Sequence, residues 1–413
     1  MVAVGSLKTT ISQENVVFTC RTNFRSFTTI LILFIKGNCA EIKHNTMDRI
    51  LSAFEKGNMK LKNHLVMAPM TRSRAVNNLP NDLMVEYYAQ RTGAGLIITE
   101  GTAPTPDGLG YPRIPGIYSL AQVEGWRKVT DAVHAGGSRI FVQLMHTGRI
   151  GHYDNLPDGA QLVGVSEMRA AGQIFTDSAG LQDHSSPAAL STDGVVALIE
   201  GHVQAARNAV DAGFDGIELH GANGYLIEQF LNPNVNTRTD EYGGSVRARA
   251  KLAIDLAKSI ADAIGREKVS IRLSPFSKLG DLQPYPEQDV HDTYGYLAEE
   301  LAKIGIAYIH IAVNAQIPQK TYDVIRSSFF GTIILCNGLT PTTAEAALHA
   351  GFADLVAFGR SFLANPDLDK RIALNAHLNQ PDLATLYTPG AKGYTDYSTL
   401  HPAVVVEKSE GVS

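Results

Sequence analysis

Gly216-Ile-Glu-Leu-His-Gly-Ala-Asn-Gly-Tyr225 carries the pattern on which the fold turns: a short apolar run through Gly221 that breaks into a polar, glycine-flanked turn. Seven other runs share this character, namely Leu65 to Met70, Leu96 to Gly101, Ile140 to Met145, Val269 to Ser274, Tyr308 to Val313, Thr332 to Gly338 and Leu355 to Arg360. Each is nearly continuous in apolar residues, as a strand covered on both faces must be. Stretches of helical periodicity such as Ala121 to Ala135 and Thr342 to Ala350 lie between them. Eight alternating units of this kind predict an α/β fold, a (β/α)8 TIM barrel in a single domain. Two connections are too long to be simple links: Thr147 to Pro187 and Asn232 to Ser245. Long loops of this sort are usually functional, and the first is expected to cap one end of the barrel as an insertion after the third strand.

The rest of the chain fits one large domain. Of 413 residues, 44% are hydrophobic and 19% charged, enough to bury a sizeable core without disulfides. A net charge of -5 with no basic run removes the electrostatic footprint of a nucleic-acid or anionic-membrane binder, so small molecules are the expected partners. The three cysteines, Cys20, Cys39 and Cys336, are too scattered for a disulfide framework or a thiolate metal site, which fits a reducing, cytoplasmic compartment. Barrel periodicity begins at Met47 and fades after Leu400. Residues 1–46 therefore read as an extension outside the fold, either inert or a targeting segment, and residues 401–413 as a tail. The apolar run Thr28 to Ile35 falls far short of the roughly 20 residues a membrane helix needs.

In a barrel of this type chemistry gathers at the C-terminal ends of the strands, and polar residues are abundant there. They are Pro69, Met70, Thr71 and Arg72 after the first strand, Glu100 and Gly101 in the second, and Gln143 and His146 in and after the third. The fourth strand contributes His220, Asn223 and Tyr225, the fifth Arg272, the seventh Asn337 and Gly338, and the eighth Gly359 and Arg360. Loops after strands seven and eight frequently bind phosphate. There Gly338 and Gly359 let backbone N–H groups approach an anion, while Arg360 adds a charge-assisted contact. Arg272 in mid-strand needs an anion or an electron-rich partner, or else an internal ion pair with a carboxylate such as Glu218. Gln143 offers a donor and an acceptor to a planar heterocycle. A phosphate, a heterocycle and a cation beside it describe FMN. His220 and Asn223 can aim two donors at one oxygen, and the phenol of Tyr225, protonated at neutral pH, can give a proton to a carbanion. The structural alternatives are helix capping for His220 and Asn223 and simple packing for Tyr225. A metal site built from His146, His152 and His220 lacks both helical spacing and a completing carboxylate, so no metal is expected.

Five ordered segments carry a family resemblance: Met67-Ala-Pro-Met-Thr-Arg-Ser-Arg74, Gln143-Leu-Met-His-Thr-Gly-Arg149, His220-Gly-Ala-Asn-Gly-Tyr-Leu226, Thr237-Arg-Thr-Asp-Glu-Tyr-Gly-Gly-Ser245 and Phe358-Gly-Arg360. Over about Met47 to Leu400 the chain resembles the Old Yellow Enzyme family of FMN-dependent ene-reductases, especially its bacterial N-ethylmaleimide reductase branch. The resemblance implies that Pro69, Thr71, Gly101, Gln143 and Arg272 hold the flavin ring, and that Thr71 bonds the flavin carbonyl O4. Asn337, Gly338, Gly359 and Arg360 would take its phosphate. His220 and Asn223 would bind the oxygen of an electron-poor alkene, Tyr225 would protonate it, and Tyr111, Met145 and Tyr387 would line the substrate pocket. NADPH would reduce FMN and leave, and an α,β-unsaturated carbonyl, maleimide or nitro compound would then be reduced in the same pocket. A flavoprotein that binds phenols or electrophiles without turnover is the rival reading, and a monomer or homodimer is expected. Met145 stands where that branch often has Trp, which implies a wider and more adaptable pocket. Asn223 stands where plant oxophytodienoate reductases tend to have a second His.

Overall fold

Strands form where the apolar runs lie, because a run buried on both faces is stable only inside a sheet covered on both sides. The computed structural model describes residues 47–312, 317–336 and 338–400; the expected extension 1–46, the tail 401–413 and Asn337 lie outside the described residues. Eight parallel strands close a barrel: β1 (Leu65–Met67), β2 (Leu96–Thr102), β3 (Arg139–Leu144), β4 (Gly216–Gly221), β5 (Val269–Leu273), β6 (Tyr308–Ala312), β7 (Thr332–Cys336) and β8 (Leu355–Phe358). Each pairs with its neighbours in sequence, and β8 pairs with β1. Several strands end earlier than the apolar runs suggest. β1 stops at Met67 rather than Met70, and β8 at Phe358, because Gly359 already caps the next helix.

The helices alternate with the strands: α1 (Asp82–Ala89), α2 (Leu120–Ala135), α3 (Thr192–Asp211), α4 (Val246–Ile264), α5 (Glu287–Ile304), α6 (Gln319–Ser328), α7 (Pro341–His349) and α8 (Arg360–Ala364). Their starts are written in the sequence. Ser119 and Thr340 close capping boxes on α2 and α7, and the Ser191 and Ser245 hydroxyls accept the first free N–H groups of α3 and α4. Replacing one such cap by Ala costs about 1 kcal/mol.

Inside the barrel the side chains change character with height. Phe141, Tyr308, Ile334, Leu96 and Leu355 form an apolar layer. The antiparallel hairpin Phe54–Lys56 with Met59–Leu61 seals that layer from the N-terminal end. Because strand side chains alternate, the residues two positions further on also face inward. On β3 and β6 these are Gln143 and His310. An apolar floor therefore carries a polar layer about 6–7 Å above it.

The segment between β3 and α3 is the expected cap. It contains the hairpin Gln173–Thr176 with Gly180–Asp183 and the short parallel pair Val163–Gly164 with Ala188–Ala189. Its buried Ile150, Ala170 and Ile174 pack with Tyr111 and Tyr225, over the C-terminal mouth.

Candidate active site

The polar layer is built by register. His220 on β4 sits beside Arg272 on β5, and Arg272 sits beside His310 on β6, each pair as direct neighbours in the parallel ladder. All three are buried. Gln143 Nε2 donates to Glu218 Oε1 at 2.8 Å, and Glu218 Oε2 lies 2.8 Å from His310 Nδ1. The carboxylate proposed in the alternative reading as a partner for Arg272 is thus occupied elsewhere. Among the described residues Arg272 makes no ion pair; its Nη2 lies 3.5 Å from Cys336 Sγ and its Nε is buried without a partner. Burial lowers the His310 basicity, but Glu218 overrides this and the net shift is upward. For His220, burial acts in the same direction as Arg272 and His310, holding the imidazole well below its ordinary value. A neutral ring follows, with Nδ1 buried and unpartnered.

Orphaned polar atoms in a buried layer are costly unless a ligand meets them. Arg272 Nε and His220 Nδ1 are two such atoms on adjacent strands. Both belong to the C-terminal half of the barrel, as do Gly338, Gly359 and Arg360, the residues expected at a phosphate. Gly338 has φ 66° and nothing near the position of a Cβ, so its backbone is open. Gly359 is the N-cap of α8, and Arg360, exposed beside it, has no carboxylate partner among the described residues. A helix start whose N–H groups are free, with a guanidinium next to it, suits a phosphate. The residues present therefore fit FMN: a cationic, polar-lined barrel top for the ring and a glycine-bordered rim for its phosphate.

Around this lie the residues expected on the substrate side. Asn223 occupies the left-handed region at φ 60°, which Asn tolerates better than most residues, in a turn rather than a helix. The N-cap position of the short helix Leu226–Leu231 belongs to Tyr225, without a side-chain cap bond, so neither His220 nor Asn223 caps that helix. The Tyr225 hydroxyl instead donates to Tyr111 Oη at 3.1 Å, and its ring meets that of His220 edge-on at 4.9 Å. Burial, aided by Tyr111 and Tyr387, pushes the Tyr225 phenol well above its ordinary value, so it stays a proton carrier. Tyr387 is largely exposed at the rim, close enough to raise both tyrosines. Pro69 and Thr71 are half-buried just past β1.

Met145 is placed differently from a simple pocket wall. It is 1% exposed and packs with Ala103, Leu109 and Ile114 beneath Tyr111 and Tyr225. A Cβ on Gly101 would collide with its sulfur, so the bare backbone at Gly101 is what lets Met145 fold down against β2. His146 and His152 are engaged locally, accepting from the N–H groups of Gly148 and Asp154.

Sequence reasoning did not assign the holding roles that several residues play. Glu218 and His310 fix Gln143 from within the layer, and the alternation on each strand could have flagged them. Arg72 and Arg74, next to Thr71, latch a C-terminal strap: Arg72 Nη2 donates to Gly393 O at 2.7 Å, and Arg74 donates to Leu386 O at 2.7 Å and Thr385 O at 2.8 Å. Tyr394 of that strap stacks on Tyr87 at 4.0 Å. Glu228 and Ser274 tie the Asn223 turn from below.

Comparison with known proteins places the whole arrangement. The sequence profile described as the NADH:flavin oxidoreductase / NADH oxidase family matches residues 50–379. The 12-oxophytodienoate reductase 7 of Oryza sativa subsp. japonica is 36% identical over 376 residues, covering 85% of this chain and 94% of that protein. Among solved structures, morphinone reductase in complex with tetrahydroNAD superposes with a TM-score of 0.82 at 41% identity, covering 86% of this chain and 98% of the other. The Old Yellow Enzyme homologue from Zymomonas mobilis gives a TM-score of 0.81 at 39% identity, covering 86% of this chain and 100% of the other.

Proposed function

This chain belongs to the NADH:flavin oxidoreductase / NADH oxidase family, that of Old Yellow Enzyme, and from that premise we propose that it reduces the C=C bond of electron-poor alkenes with NADPH as hydride source. FMN is the family's cofactor; when bound, it supplies the site that takes hydride from the nicotinamide and returns it to the alkene. The observation that carries the reading is the neutral, buried His220 with an unpartnered ring nitrogen, beside the cationic Arg272 and beneath the Tyr225 phenol.

Each residue then has a task. His220 and the Asn223 amide donate hydrogen bonds to the oxygen of an α,β-unsaturated carbonyl, a maleimide or a nitro group. Charge that builds on that oxygen as the β-carbon is attacked is met by donors already in place. Because His220 is neutral, it polarises the oxygen without giving up its proton. Tyr225 holds a proton at Oη and delivers it to the α-carbon; Tyr111, now 3.1 Å away, is placed to bond the phenolate that remains. Arg272 offers a fixed positive charge to the electron-rich ring, and Gln143, oriented by Glu218, contributes its amide. Gly338, Gly359 and Arg360 hold the phosphate, Thr71 and Pro69 border the ring, and Met145, Tyr111 and Tyr387 shape the acceptor side. The relatives include a 12-oxophytodienoate reductase and a morphinone reductase, which supports an enone as the acceptor class.

Purified protein is expected to be yellow and to release FMN on denaturation. With NADPH and 2-cyclohexenone under nitrogen it is expected to form cyclohexanone in step with NADPH loss. Colourless protein that also fails to take up added FMN would falsify the reading. Yellow protein that binds phenols but yields no cyclohexanone, nor reduces a maleimide or nitroalkene, leaves the rival, a flavoprotein that binds without turnover.

A further inference from the structure

The turn that carries Asn223 is held in an unusual way. The Asn223 N–H donates to Ser274 Oγ at 2.8 Å, and the Ser274 hydroxyl in turn donates a hydrogen bond to Glu228 Oε1 at 2.8 Å. The next N–H, that of Gly224, donates directly to Glu228 Oε2 at 2.7 Å. Tyr294 on α5 adds its hydroxyl to Oε1 at 3.2 Å. Glu228 is buried at 2% exposure and has no cationic partner within ion-pair distance among the described residues. Three donors converge on its two oxygens, an arrangement that suits an acceptor-only carboxylate and partly offsets the burial that pushes this carboxyl up to about 7. Successive backbone N–H groups of the turn therefore end on one side chain, one of them directly and the other through Ser274.

The position of Ser274 gives this clamp its meaning. It follows Arg272 by two residues at the end of β5, so the strand that presents Arg272 also holds the turn that presents Asn223. Gln229 braces the same turn from the other side, donating to Gly224 O at 2.8 Å and Thr147 O at 3.0 Å. Gly224 itself has no room for a side chain, since a Cβ there would strike the Leu279 carbonyl. These bonds brace the turn in which Asn223 adopts its left-handed conformation.

We propose that Glu228 is the positioning residue of the Asn223 turn and thereby sets how tightly the site grips the oxygen of its acceptor ligand. The assignment rests on the acceptor role of His220 and Asn223 proposed above. Glu228 reaches the turn directly through the Gly224 N–H and indirectly through Ser274, which accepts the Asn223 N–H. Replacing it by Gln keeps the shape but turns an NH2 group toward one of the three donors, which loosens the turn without emptying the space.

The test uses the FMN-loaded protein, with 4-chlorophenol as a probe that reports binding by its long-wavelength absorbance with the flavin rather than by turnover. Glu228→Gln is expected to weaken 4-chlorophenol binding about tenfold, the loss of a hydrogen bond to a charged group, while FMN affinity stays within about twofold. Ser274→Ala is expected to weaken it similarly, and the double variant no further than about the worse single one, because both act in one chain of bonds. Amide exchange in the peptide covering 222–226 is expected to speed up in both. Phenol affinity unchanged in the two single variants overturns the assignment, as does a loss of FMN affinity equal to the loss of phenol affinity, which marks a merely structural role. Wild-type protein that takes FMN but no phenol overturns the reading of the acceptor site itself, and the assignment with it.

Discussion

His220 and Arg272 stand side by side on neighbouring parallel strands, in direct register, and each keeps one nitrogen buried without a partner. The relationship explains much of the site. The guanidinium keeps the imidazole neutral by adding to the effect of burial, and the imidazole in turn leaves the guanidinium charge uncompensated for a ligand to use. Residues distant in sequence meet at one rim because parallel strands all point their C-terminal ends the same way.

Tyr225→Phe is expected to slow alkene reduction by about 10²-fold or more while flavin reduction by NADPH proceeds nearly as before. Rapid-mixing measurement of the two half-reactions separately checks this. Equal slowing of both would remove Tyr225 as proton donor. Tyr111→Phe, which removes the hydrogen-bond partner of the Tyr225 hydroxyl but leaves the proton donor in place, should cost less, about tenfold at most.

Arg272→Gln is expected to lower the two-electron potential of the bound flavin, by about 30 mV for each 1.4 kcal/mol of charge stabilisation lost. Dye-coupled reductive titration reads it. A potential unchanged or raised contradicts the placement of Arg272 against the ring.

How much of this was legible in the sequence depends on the kind of residue. Apolar runs fixed all eight strands, because burial on both faces leaves no room for polar alternation, and β4 was bounded to the residue. The ends of β1 and β8 were overrun, since Pro69 and Gly359 continue an apolar pattern after the ladder has stopped. Glycines, His220, Asn223 and Tyr225 stood out as polar interruptions at strand ends. Glu218 was legible only as a rival partner for Arg272; its true partners, Gln143 and His310, lie on strands 75 and 92 residues away in the chain. Glu228 resembled any first-turn helix acid. Its role depends on Ser274 and Tyr294, which only the closed barrel brings to it. For Met145 the sequence implied a wider pocket; that the bare backbone of Gly101 on the adjacent strand gives the side chain a place to fold down is visible only in the barrel.

Glu100→Gln tests the electrostatics of the buried wall. Burial, partly offset by the Arg72 N–H and charge, pushes the Glu100 carboxyl up from 4.5 to about 7. Between those values the folded protein holds a proton that the unfolded chain has lost, so this group's contribution to stability falls as pH rises through that window. The variant stays neutral and lacks that slope. Urea midpoints at pH 5 and pH 8 should therefore shift in the variant's favour at the higher pH. A difference between the two proteins that is the same at both pH values rejects it.

Gly393→Ala is expected to unseat the strap latched by Arg72 and Arg74. Gly393 has φ 63°, and an added Cβ would strike the Thr385 side chain, so both backbone and packing oppose the change. A loss of about 2 kcal/mol or more in stability is expected, together with weaker phenol binding through displaced Tyr387. Thermal unfolding and a phenol titration check the two parts. Full stability in the variant contradicts the latch.

The most direct measurement mixes anaerobically reduced, FMN-loaded protein with 2-cyclohexenone in a stopped-flow spectrometer. Return of the oxidised flavin absorbance at a rate that rises with enone concentration, with one equivalent of cyclohexanone formed, is the predicted result. Flavin that remains reduced until air is admitted, with 2-cyclohexenone, N-ethylmaleimide and a nitroalkene alike, contradicts it.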